Sequence, residues 1–108
     1  MSDAVTRFRQ KVVDRAVNGD GVSSTSARRA AFDNRDVEPR ARMLVDKVAR
    51  HAWTVTAQDV DAPRAAGVSE DEIFELVVCA ALGQATRQLD AALAALDAAT
   101  GQSRRNDR

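Results

Sequence analysis

Between Ser69 and Leu82 the chain reads SEDEIFELVVCAAL, a helix start that runs straight into a segment apolar nearly all round and broken by Glu75. A helix that is hydrophobic on every side is stable only inside a core, so the rest of the chain must supply elements to cover it. Its start is well specified: Ser69 caps, Glu72 returns the hydrogen bond, and Val68 staples onto Ile73. From Ala85 onward the pattern narrows to the stripe Ala85, Leu89, Ala92, Leu93 and Leu96, suited to a surface or an interface. Gly101 is expected to end the helix, leaving residues 101–108 as a solvated tail.

The covering elements also read as helices. Ser2 is a candidate cap for a first helix in which Val5, Phe8, Val12 and Ala16 follow helical spacing, widened by Val13 and Val17 and stopped at Asn18 and Gly19. A loop from Gly19 to Ser26 precedes a short helix from Ser26 anchored by Phe32. Pro39 suits the first turn of a third helix, where its missing N–H would have no partner; Leu44, Val45, Val48, Ala49 and Ala52 form the inner face. Thr56 and Asp59 have capping-box spacing for a fourth helix from about Ala57 to Ala66, with Gly67 as its left-handed exit and Pro63 an irregularity inside it. Neither period-2 strands nor an internal repeat appears. The expected fold is all-α, a compact bundle of about five helices with one long central C-terminal helix, in a single domain over residues 1–100.

Composition narrows the partners. Of 108 residues, 16 are basic and 16 acidic, so no overall field draws nucleic acid or an anionic membrane surface. The tail arginines Arg104, Arg105 and Arg108 stand beside Asp107 without interleaved aromatics and read as solvated rather than nucleic-acid binding. No apolar run approaches the roughly 18 residues of a membrane span, and the N-terminus is too charged for a signal peptide. A lone Cys79 agrees with a reducing compartment, and the cytoplasm is the expected location.

The block from Val45 to Leu96, and within it Ala65, Ala66, Gly67, Val68, Ser69, Glu70, Asp71, Glu72, Ile73, resembles the alkylhydroperoxidase D-like family, also called the carboxymuconolactone decarboxylase family. The resemblance covers roughly residues 38–98 and implies a helical, oligomeric fold. In the peroxidase members a Cys-x-x-Cys motif and a histidine precede this segment. The family spacing puts the cysteines at or near Ala52 and Val55, the histidine near Asp59 and a proton-relay glutamate near Arg40, with Glu38 only close by. The catalytic set is therefore missing. The chain looks like a subgroup that keeps His51, Ala52, Trp53, Val55, Thr56, Asp59 and Val60 in place of the cysteine motif.

A thiol peroxidase needs an accessible thiolate and a resolving cysteine, whereas Cys79 is alone in the most apolar part of the chain, and its expected role is core packing. His51, the sole histidine, sits where the third helix ends and suits the negative end of the helix dipole; as an acid or base it would need Asp59 or Asp61 to orient it. Trp53, an aromatic at a turn, can line a pocket or close the core, and core packing is the expected role. Glu75 is expected to be exposed, to pair with Arg42 or Arg50, or to share a polar pocket with His51, since an unpaired buried carboxylate is costly. With one histidine and one cysteine no metal centre is expected within one chain, although carboxylates of a neighbouring subunit could complete one, and no cofactor is expected. Two functions follow: an oligomeric binding or scaffold subunit without peroxidase chemistry, with room for a small-molecule ligand, or a cofactor-free enzyme of carboxymuconolactone decarboxylase type with His51, Asp59 and Glu75 as catalytic candidates. A polar pocket joining those residues would favour the second.

Overall fold

The computed structural model describes residues 3–106, with side chains from 4 to 101. Within them lie five α-helices and one 3-10 turn, without a strand: α1 (Asp3–Asn18), α2 (Thr25–Asp33), α3 (Pro39–His51), the 3-10 turn (Ala52–Thr54), α4 (Ala57–Ala65) and α5 (Glu70–Asn106). Ser2 and the ends of the chain lie outside the described residues.

The first half of α5 is the centre. Ile73, Leu76, Cys79 and Ala80 are buried against Val17 of α1, Ala31 and Phe32 of α2, and Ala41, Leu44, Val45 and Val48 of α3. The fourth helix closes one end, with Val55 and Val60 packed on the cluster and Pro63 buried. The bundle is compact only there. At 37 residues and about 1.5 Å per residue, α5 runs about 55 Å of the molecule's 62 Å length, so its second half extends beyond the core, where Arg9 of α1 pairs with Asp90.

Local chemistry explains the helix ends. Ser24 caps α2 by accepting from the Ala27 amide, two residues before the Ser26 start that the sequence suggests. Pro39 opens α3 as expected. Thr56 and Asp59 form the reciprocal capping box of α4, and Gly67 leaves that helix at φ +100°. Ser69 accepts from the Glu72 amide while its hydroxyl meets the Glu72 carboxylate, and Val68 and Ile73 are both buried. Ser69→Ala is expected to cost about 1 kcal/mol of stability; an unchanged urea midpoint would mean that packing alone fixes this helix start.

Four expectations need correction. The helix passes through Gly101 to Asn106, because a glycine terminates a helix only where the chain turns left-handed and otherwise costs about 1 kcal/mol. On α1, Val13, Ala16 and Val17 face the core, and the Phe8 and Val12 side of the expected stripe is turned outward. Ala52 lies in the 3-10 turn and is exposed instead of lining α3's inner face. Trp53 is 80% exposed instead of closing the core, since the same turn swings it outward and Val55 and Val60 take the inward positions.

Candidate functional site

The three catalytic candidates have separate surroundings. His51, the last residue of α3, is exposed, and its ring meets Trp53 edge-on with centroids 5.3 Å apart. Asp59 is drawn in the opposite sense, into its own helix start. Its Oδ2 accepts from the Thr56 amide at 2.9 Å and from Lys47 Nζ at 2.8 Å. The Lys47 hydrogen bond, then the Thr56 amide, hold the Asp59 carboxyl below its ordinary range. Asp61, the other acid considered for orienting His51, pairs with Arg64 within α4.

Glu75 belongs to the loop between α1 and α2. Its two carboxylate oxygens accept from the amides of Val22 and Ser23, each at 2.8 Å, and from the Ser23 hydroxyl. Neither arginine considered as its partner is used: Arg42 donates to the Val37 carbonyl and Arg50 pairs with Asp46. The cation near Glu75 is Arg28, buried at 4% exposure, which donates from Nη1 to the carbonyls of Gly19 at 2.7 Å and Ala16 at 3.2 Å. Arg28 thus satisfies carbonyls at the end of α1 while Glu75 satisfies amides of the loop that follows. The loop is clamped from both sides. Cys79 joins the same region, its thiol donating to the Ala16 carbonyl at 3.4 Å, and burial pushes its pKa up from 9.0. A protonated, buried thiol is a poor nucleophile toward peroxide.

The hydroxyl of Ser23, helped by the two amides, holds Glu75 below its ordinary value of 4.5. A carboxylate depressed on folding stabilises the native state above its unfolded value, and that contribution is lost as pH falls through the folded value. Glu75→Gln is therefore expected to be less stable than the native chain by about 1–2 kcal/mol near neutral pH. The gap is expected to close only once the pH drops below 4.5, as read from urea midpoints across an acid series. A gap that persists at the acid end would mean that the charge does not hold the loop.

Glu75 lines an open cleft of about 400 Å³ with Arg15, Asp20, Arg28, Asp71 and Phe74; neither His51 nor Asp59 contributes to it. A second open cleft of about 520 Å³ lies between Asn34, Asp36, Arg42 and Asp46. No group of three or more histidine, cysteine, aspartate or glutamate side chains among the described residues is placed to hold a metal ion. No described helix is long and apolar enough to cross a membrane. Two carboxylates held below their ordinary range by hydrogen bonds to structure are weak bases near neutral pH, which leaves His51 without an orienting acid among its described partners.

The clamp was only partly visible in the sequence. Glu75 stands out there as a carboxylate in an apolar run, but Arg28 is one of a pair with Arg29, and spacing does not distinguish the buried one from the exposed one. Comparison with family models, with characterised proteins and with solved structures finds no match for this chain.

Proposed function

We propose that this protein is a helical binding or scaffold subunit that works as a homo-oligomer, built on an alkylhydroperoxidase D-like arrangement from which the peroxidase centre is absent. Its proposed setting is the cytoplasm. The observation that carries the reading is the distribution of chemistry over the molecule. The acids that were candidates for catalysis bind backbone amides and a lysine, and the one thiol is buried. Large apolar side chains stand in solvent instead: Phe8 is 70% exposed, Leu96 61% and Phe74 69%. Monomers rarely expose such residues in a contiguous patch unless the patch is used.

Sedimentation equilibrium at micromolar concentration tests this. The expected result is a mass at least twice the 11.7 kDa of one chain. A single-chain mass across the range would overturn the reading.

A further inference from the structure

The exposed apolar residues are arranged by the pairing of α1 with α5. Cys79 reaches Ala16 and Arg9 pairs with Asp90, so residue numbers rise along one helix as they fall along the other, and the pair is antiparallel. On α1 the side toward α5 carries Arg9, Val13 and Val17. At 100° per residue, Phe8 and Val12 lie about 100° round from it. On α5 the side toward α1 carries Cys79 and Asp90. Leu89 and Leu96 lie about 100° round from that side, in the same rotational sense. An equal rotation in the same sense on two antiparallel helices brings both stripes to one side of the pair. Phe74 falls on the same flank of α5, so the face continues past the end of α1.

We infer that this face binds the same face of a second copy, forming a four-helix layer from two α1–α5 pairs. The inference rests on the oligomeric reading above and names its surface. From Phe74 to Leu96 the face is about 33 Å long at 1.5 Å per residue, and two helices side by side are about 20 Å wide, giving a footprint of about 600 Å². That is close to the roughly 800 Å² per partner of a stable interface. Ala92 lies between Leu89 and Leu96, and Ala85 one turn before Leu89, and both allow close helix approach. Charge favours a second copy. The chain is formally neutral, so two copies meet without net repulsion.

The test is sedimentation velocity of the full chain with Phe8→Arg and Leu89→Arg, and with Met43→Arg as a control 75% exposed on α3 away from this face. The native chain and the control are expected to sediment as multimers, and each face variant to dissociate with at least a tenfold weaker association while keeping its helical circular dichroism. A multimer that survives both face variants overturns this surface and leaves the oligomeric reading standing; a native monomer overturns both. If either variant loses helix, hydrogen exchange of the native chain decides instead. Protection that rises with concentration over residues 4–18 and 85–100 is the expected result, and protection confined to other segments contradicts the surface.

Discussion

Gly83→Ala is expected to destabilise the protein by about 2–3 kcal/mol, even though alanine is the better helix former by about 1 kcal/mol. Gly83 lies in the middle of α5 where α2 crosses it, and a Cβ there would stand 1.9 Å from the Phe32 carbonyl oxygen and 2.7 Å from its carbon. Both atoms are backbone, so no side chain can rotate away and the helices must part. Parting them also draws that carbonyl from Arg87, whose Nη1 donates to it at 2.8 Å. The helix gain is therefore smaller than the packing loss. A urea midpoint that stays in place or rises would show that α2 does not lie so close to α5.

The second large effect is expected at Arg28. Arg28→Ala removes the donor to the Gly19 and Ala16 carbonyls and opens a cavity beneath the loop that Glu75 holds. Charged hydrogen bonds contribute about 1.5–3 kcal/mol and a broken buried network more, so a loss of about 3 kcal/mol is expected. Arg28→Met is expected to cost less, because it keeps much of the packing and removes Nε, which is buried without a partner. Equal losses for the two variants would mean that the guanidinium's hydrogen bonds, rather than its bulk, set the stability of this corner.

The helices were legible because their signals are local. The box at Ser69 and Glu72, the box at Thr56 and Asp59 and the proline opening α3 each act within one turn, and all appear where spacing puts them. What spacing could not give was the rotation of α1 about its own axis, since Val5, Phe8 and Val12 have the same periodicity as Val13 and Val17, and only the partners at Cys79 and Arg28 choose between them. The exposure of Trp53 escapes spacing for a related reason: three residues of tighter winding after His51 are enough to turn a ring from core to solvent. The role of Glu75 lay beyond local reading because its partners are more than fifty positions away in sequence. Gly83 carried no visible signal, since an isolated glycine in an apolar helix looks the same whether or not another backbone rests on it.

On the proposed function, this chain acts through a surface shared between copies rather than through a catalytic pocket. Native mass spectrometry of the full-length protein tests it most directly, because it reports subunit count and retained ligand together. An assembly at a multiple of 11.7 kDa is expected, whether or not a small molecule is retained. A single chain, with or without a bound small molecule, would contradict it.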